Sequence, residues 1–230
     1  SGLFGTQAAT SWYGLLNGPV NSLINMPVVV TAAVSTALLP KVSAVLSTGG
    51  AVDRSAARAL KYSLLLALPS FAVLAVFARP ILSVLYARSL ARELIGLGAG
   101  LLSIGGLTVV YMAVIQVCTA VLQGADRAAA PAVNLLIGAV VKVLLTVALL
   151  RVIGIYGAVA ASVACYGVTA VLDVVSLTRR VPLSVSLWRT FVSPLLSAAL
   201  SAAAGALSLW LFGLILPPLF ALVAAAAVFV

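Results

Sequence analysis

Residues 122–180 decide the fold of this chain, and they read LQGADRAAAPAVNLLIGAVVKVLLTVALLRVIGIYGAVAASVACYGVTAVLDVVSLTRR. The first apolar run, 132–150, is followed by Arg151 and the turn Gly154-Ile155-Tyr156-Gly157, and a second apolar run then continues to Leu177. Each run has about 20 residues, enough for a helix to cross a hydrocarbon core about 30 Å thick. The stretch therefore predicts a transmembrane helical hairpin.

The lysine in the first of these runs, Lys142, is the strongest functional candidate. A charge at the centre of a membrane helix costs roughly 3 kcal/mol on insertion scales, so Lys142 is expected to face the protein interior or a water-filled cavity. There its ammonium group would attract an anion such as a phosphate or diphosphate headgroup, because Coulomb attraction strengthens as the dielectric constant falls. The alternative is a structural lysine, paired with a helix-end carbonyl or with an acid of another helix.

The composition indicates a polytopic membrane protein. Hydrophobic residues make up 64% of the 230 residues, charged residues make up 7%, and the mean hydropathy is +1.28. Soluble domains carry about 25% charged residues. Histidine is absent, and the acidic residues are Asp53, Glu93, Asp126 and Asp173. This inventory excludes Ser-His-Asp catalysis and histidine-bound metal, so we expect neither an enzyme nor a cofactor.

The net charge of +9 comes from basic residues at the ends of apolar runs. That placement is typical of topology signals and of contacts with anionic lipid, and it does not indicate nucleic-acid binding. Arg54, Arg58 and Lys61 lie together before the second span and are candidates for contacting lipid headgroups. Alternate loops carry eight and four basic residues, and the richer set, in loops 41–61, 124–130 and 179–189, is predicted to be cytoplasmic.

The rest of the chain predicts about seven membrane helices in an all-α bundle. The first, 11–46, is longer than the bilayer is thick, and Pro19, Pro27 and Pro40 are expected to kink it. An amphipathic segment, 81–93, is expected to lie at the interface. The remaining predicted spans are 62–78, 94–123, the two arms of the hairpin, 191–212 and 216–230, of which the last is cut short and predicts a piece of a longer protein.

Three asparagines give the first span a polar stripe. Asn17, Asn21 and Asn25 follow at intervals of four, which places their amides on one helix face. Two interpretations are equally open. The amides line a polar path, or they satisfy backbone groups that Pro19 and Pro27 leave free.

Three further polar side chains fall inside apolar runs. Gln116 and Gln123 share a face of the third span, where they would form interhelical hydrogen bonds or contact a substrate. Asp173 lies six residues before Arg179. We expect Asp173 to form an ion pair with Arg179 or Arg180, and a proton or cation site for ion coupling is the alternative.

The hairpin and the first span together resemble a known family. In the first span the similarity is carried by LINMP at 23–27, TAA at 31–33, Ser35-Thr36, LLP at 38–40 and Ser43. In the hairpin it is carried by Leu122-Gln123-Gly124, Pro131, Asn134, Gly138, Lys142, Leu145, Gly154, Gly157, Ala158, Ala160, Tyr166 and Arg179-Arg180. This pattern is similar to polysaccharide-biosynthesis flippases of the stage V sporulation protein B type, which are related to the MviN-type lipid II flippases.

The resemblance implies a fourteen-helix transporter of the multidrug/oligosaccharidyl-lipid/polysaccharide superfamily, of which this chain is the C-terminal portion. Residues 1–180 would be the C-terminal lobe, helices eight to twelve, and 181–230 two additional helices. The substrate would be an undecaprenyl-diphosphate-linked sugar, moved across the bacterial cytoplasmic membrane by alternating access against an N-terminal lobe. Lys142 matches the family's lysine in helix eleven. The candidate substrate contacts are Lys142, Asn134, Asn17, Asn21, Asn25, Gln116 and Gln123.

Other functions compete with a flippase. A multidrug or organic-cation exporter of the same superfamily would bind its cations with acids rather than with a central lysine. A membrane-embedded polyprenyl-phosphate transferase would place acidic and basic groups in surface loops, where this chain offers only the scattered acids Asp53, Glu93 and Asp126. A purely structural membrane subunit is the last alternative.

Overall fold

This computed structural model describes residues 6–37, 39–47, 53–86 and 90–179, and these ranges contain helices and no strand. The elements are α1 (Thr6–Leu15), a π-helical turn (Leu16–Val20), α2 (Asn21–Thr36), α3 (Leu39–Ser47), α4 (Asp53–Val76), α5 (Ala78–Tyr86), α6 (Arg92–Gly105), α7 (Leu107–Gly124), α8 (Ala129–Ile153) and α9 (Ile155–Thr178). The predicted all-α membrane bundle is confirmed.

Five helical stretches are long and apolar enough to cross a membrane, and they match the first five predicted spans. They are Thr10–Val45, Ala56–Val76, Arg92–Gly124, Ala129–Ile153 and Ile155–Thr178. The sixth and seventh predicted spans, and the domain boundary at 181, lie outside the described residues. One boundary differs from prediction, because α4 ends at Val76 and Arg79-Pro80 begin the separate helix α5. Proline is well tolerated in a first helical turn, where its missing N–H is not needed.

The first span departs from a regular α-helix at Pro19. Pro19 has no N–H to donate to the carbonyl one turn earlier, and the helix there widens into the π-helical turn, in which the Asn21 N–H reaches back to the Leu16 carbonyl. Pro27 lies inside α2, and Pro40 is the second residue of α3. The asparagines of this span border a cavity between the first span and the hairpin.

Helices α6 and α7 form the centre of the described bundle. Leu101, Leu102, Val109 and Ala113 are fully buried there against α1, α2 and α4. A second apolar cluster joins α3, α4, α7 and the end of α9, around Val42, Leu64, Val117, Cys118, Val121 and Leu122. This centre positions the first span on one side and the hairpin on another.

The hairpin α8–α9 is held together by close backbone approach. Gly154, between the helices, has φ 60° and ψ −140°, a conformation that only glycine adopts readily. A Cβ on Gly157 would lie 2.6 Å from the Leu149 carbonyl carbon, and one on Gly138 would collide with Thr169. The predicted hairpin is therefore confirmed, and its two helices pack almost in contact along these glycines.

Candidate functional site

A cavity of about 420 Å³ lies between the first span and the hairpin. Its base is formed by Gly105, Thr108 and Met112, at the junction of α6 and α7. One wall comes from α1, the π-helical turn and α2, and the opposite wall comes from α8 and α9. The volume lies in the range of small-ligand pockets.

The asparagine stripe lines one wall of this cavity. Asn17, Asn21 and Asn25 all border it. The Asn21 Nδ2 donates to the Asn17 Oδ1 at 3.3 Å, and the Asn17 Nδ2 donates to the Tyr13 carbonyl at 3.2 Å. The carbonyls one helical turn before the two prolines belong to Leu15 and Leu23, and the amides of Asn17 and Asn21 donate to other groups. This geometry favours the polar-path interpretation of the stripe.

Lys142 lies on the opposite wall, with Thr146 one turn further along α8. Its side chain is exposed, and within the described ranges it makes no hydrogen bond or ion pair. The helix-end carbonyl or acid that a structural lysine would need is therefore not found among the described residues. An ammonium group without a counter-ion at a cavity wall attracts anions.

The register of the hairpin fixes the position of Lys142. Asn134 pairs with Asp173, Gly138 packs against Thr169, and Lys142 lies close enough to Cys165 to interact with it electrostatically. From one pair to the next the residue number rises by four on α8 and falls by four on α9, as expected for two antiparallel helices packed along one face. Each step is one helical turn, so Lys142 is fixed two turns from the Asn134–Asp173 pair.

Five cavity residues with a hydroxyl group were not predicted as substrate contacts: Tyr13, Thr108, Thr146, Ser162 and Tyr166. The Thr108 hydroxyl donates to the Gly105 carbonyl at the end of α6, at 2.6 Å, and the Ser162 hydroxyl donates to the Ala158 carbonyl of its own helix, at 3.0 Å, so both hydroxyl oxygens can still accept. Spacing was the usable signal, because Thr146 follows Lys142 by one turn and Tyr166 follows Ser162 by one turn.

Three predicted substrate contacts lie away from the cavity lining. Gln116 bridges α7 to α2, where its Oε1 accepts from the Thr31 hydroxyl at 2.9 Å and its Nε2 donates to the Val28 carbonyl at 3.3 Å. Gln123 is exposed near the end of α7. Asn134 is turned towards α9, because the Asp173 carboxylate accepts its amide hydrogen.

The charged candidates are also placed away from the cavity. Asp173 does not form the expected pair with Arg179; it is buried between helices and accepts from Asn134 at 2.7 Å. Arg180 lies outside the described residues. Arg58 and Lys61 are exposed on α4, as expected for residues that contact lipid, and the side chain of Arg54 lies outside the described part.

Together, the five apolar spans indicate a multi-pass membrane protein, and a cavity lined by amides, hydroxyls and one lysine lies among them. The family described as lipid II flippase MurJ matches residues 20–226, and the chain belongs to that family. The resemblance identified from the sequence is thereby confirmed.

Two known proteins show the extent of the similarity. Stage V sporulation protein B of Bacillus subtilis (strain 168) is 31% identical over 186 residues, which cover 79% of this chain and 35% of that protein. The structure of lipid II flippase MurJ in an inward closed conformation superposes with a TM-score of 0.76 at 15% identity and covers 96% of this chain and 45% of its own. The chain thus spans less than half the length of either protein, and the likeness to the solved structure supports the fold.

Proposed function

We propose that this chain is the C-terminal lobe of a flippase in a bacterial cytoplasmic membrane. Its substrate would be an undecaprenyl-diphosphate-linked sugar, such as a precursor of peptidoglycan or of another polysaccharide. Alternating access against an N-terminal lobe would move the headgroup between leaflets while the polyprenyl tail stays in lipid. Membership of the lipid II flippase family supports this assignment.

The observation that carries the proposal is the pairing of Lys142 with the asparagine stripe across one cavity. A diphosphate needs positive charge, and Lys142 supplies an ammonium group with no partner among the described residues. Sugar hydroxyls need donors and acceptors in a fixed arrangement, and the amides of Asn17, Asn21 and Asn25 provide both. At the low dielectric constant of a membrane interior each such interaction would be stronger than in water.

The exporter alternative fits the cavity less well. A cationic drug would be stabilised by a carboxylate, and among the described residues the cavity lining contains Lys142 and no acidic side chain. An ammonium group at the wall repels a cation. The charge of the cavity therefore favours an anionic substrate.

The test uses the full-length parent protein in proteoliposomes. A fluorescent diphosphate-linked polyprenyl disaccharide is supplied in one leaflet, and its appearance in the other leaflet is timed. Lys142→Met, which keeps the length of the side chain and removes the charge, is expected to slow crossing by about tenfold, the effect of losing about 1.4 kcal/mol of transition-state stabilisation. Lys41→Met is the matched control, because Lys41 is exposed on α3 and does not line the cavity.

The outcomes separate the function from the residue. If the parent accelerates crossing and both variants behave like it, the flippase assignment stands and the headgroup role of Lys142 is rejected. If the parent does not accelerate crossing, the flippase assignment is rejected. Loss of rate in Lys142→Met alone supports both.

A further inference from the structure

A buried carboxyl group between α7, α8 and α9 has no role in the cavity. Asp173 is 0% exposed, and its Oδ2 has no hydrogen-bond partner. In the described part of the chain, the Ser63 hydroxyl oxygen shares this condition. The two are not equivalent, because an unpaired hydroxyl is neutral, whereas a buried carboxylate with one free oxygen leaves a charge uncompensated.

The hydrogen bonds around Asp173 offer donors to one oxygen only. The Asn134 Nδ2 donates to the Asp173 Oδ1 at 2.7 Å and to the Ser176 hydroxyl at 3.1 Å, so both of its amide hydrogens are used. Because the Asn134 amide presents its nitrogen to the carboxyl, Asn134 acts as a donor and not as an oxygen ligand for a metal cation. A proton on Oδ2 would neutralise the carboxyl and leave this arrangement intact.

No described cation lies beside Asp173. From α7 the titratable group that interacts with it is the Cys118 thiol. From α8 the nearest charged residue is Lys142, which lies two turns away opposite Cys165. On α9 itself Arg179 is exposed. Helix α6 contacts the opposite end of α9, where Gly100 and Gly105 meet Tyr156 and Val159, and it brings no charge to Asp173.

We propose that Asp173 is a proton-binding site of the transporter, which holds its proton while α8 packs against α9 and releases it when α8 moves away. A charged Asp173 needs water or a further donor at Oδ2, and packing of α8 excludes both. Among the described residues, 11% of the apolar stretch of α8 is buried and this helix packs chiefly against α9, so separating α8 from α9 would break few other contacts. Proton loss and separation of the hairpin are therefore linked equilibria.

This site extends the proposed function, because α8 also carries Lys142. Lys142 and Asn134, the partner of Asp173, are eight residues apart on this helix, or about 12 Å. A movement of α8 that exposes Asp173 also displaces Lys142 from the cavity wall. The coupling to flipping rests on the proposed function, whereas the proton site itself can be tested without any transport.

The test uses Cys165 as a reporter of hairpin opening. Cys165 is 4% exposed and lies under Gly138 of α8, so a maleimide reaches it only when α8 moves. The full-length parent, with Cys165 as its only cysteine, is labelled in lipid bilayers from weakly acidic to weakly alkaline pH. The Asp173→Asn variant keeps an acceptor for Asn134 but cannot bind a proton, and it is labelled in parallel.

The labelling rate of the parent divided by that of Asp173→Asn is expected to rise several-fold with pH. Ionisation of the Cys165 thiol speeds labelling of both proteins alike, so it cancels in the ratio of the two rates. A negative charge on Asp173 would disfavour the thiolate in the parent, so it would lower this ratio rather than raise it. Asp126→Asn, which removes an exposed acid, is expected to follow the parent. A ratio that stays flat across the pH range overturns the proposal.

A second variant keeps the test decisive if Asp173→Asn does not fold. Asn134→Leu removes the N–H donor that stabilises the charged carboxylate, so the protein is expected to hold its proton to a higher pH. The midpoint of the labelling curve should then move upwards. A midpoint unchanged from that of the parent contradicts proton binding at Asp173.

Discussion

The centre of the bundle and the hairpin are stabilised in different ways. In the most apolar part of Arg92–Gly124, 56% of the residues are buried, against 11% in that of Ala129–Ile153. The centre fills space with leucine and valine side chains that contact several helices. The hairpin relies on glycines that bring two backbones together and on one buried polar pair. In lipid, where burial gives little hydrophobic gain, close packing and hydrogen bonds are the means available to hold a peripheral helix.

The largest effect is expected from filling the narrowest gap in the hairpin. A Cβ at Gly157 would lie 2.6 and 2.7 Å from the carbonyl carbon and oxygen of Leu149, so Gly157→Ala must shift backbone. The expected loss is about 3 kcal/mol in the free energy of unfolding, the upper part of the range for overpacking. Unfolding of the full-length parent in mixed detergent micelles measures this loss.

The matched control for this change is Gly96→Ala. Gly96 is an exposed helical glycine on α6, and a Cβ added there would have no atom within 4 Å. This control should be neutral or should stabilise the protein by up to about 1 kcal/mol, because alanine favours the helix. Equal effects at the two glycines would show that the hairpin is looser than its contacts indicate.

A smaller effect is expected from creating a void in the centre. Leu102 is 0% exposed, and Leu102→Ala removes side-chain contacts that α6 makes on several sides. The expected loss in unfolding free energy is about 2 kcal/mol, at the low end of the range for soluble cores, because the unfolded chain also lies in apolar lipid. Leu144→Ala on α8, where Leu144 is 66% exposed, should change stability by less than about 0.5 kcal/mol. A cost at Leu144 as large as that at Leu102 would mean that another element covers α8.

The helices could be predicted because the length of each apolar run indicates the length of the membrane helix. The apolar runs that end at Leu150 and Leu177 define the two arms of the hairpin without any knowledge of packing, although the predicted turn included Ile155, Tyr156 and Gly157, which belong to α9. The π-helical turn at Pro19 and the separate helix α5 could not be read in this way. Both depend on how the backbone hydrogen bonds rearrange next to a proline, and contacts with neighbouring helices determine that rearrangement.

The direction in which an individual side chain points was harder to predict than the bounds of the spans. In a membrane helix most faces are apolar, so periodicity does not reveal which face meets the protein. Lys142 and the asparagine stripe lie at a cavity, because strongly polar groups avoid lipid. Asn134 obeys the same rule yet turns to α9, since the partner that decides its direction, Asp173, lies 39 residues away.

The smallest effect on the free energy of unfolding is expected from removing a polar contact between α7 and α2 at the centre of the bundle. Gln116 ties α7 to α2 through the Thr31 hydroxyl and the Val28 carbonyl. Gln116→Leu is expected to lower the unfolding free energy by about 0.6 kcal/mol, the average for interhelical hydrogen bonds in membranes. Gln123→Leu, at an exposed position of the same helix, is the control and should have no effect.

A double-mutant cycle with Thr31→Val isolates this bond from the rest of the contact. The Thr31 hydroxyl shares its one hydrogen between Gln116 and the Val28 carbonyl, at 2.9 Å each, so losing Gln116 leaves it a second acceptor. The coupling energy should therefore be small but distinct from zero. A coupling larger than the loss at Leu102 would reverse the comparison, because the centre would then depend on a hydrogen bond more than on packed volume. A small coupling would mean that hydrogen bonding contributes little to packing at the centre. The Asn134–Asp173 pair between α8 and α9 would then be the contact in which a hydrogen bond, rather than packed volume, determines the helix arrangement.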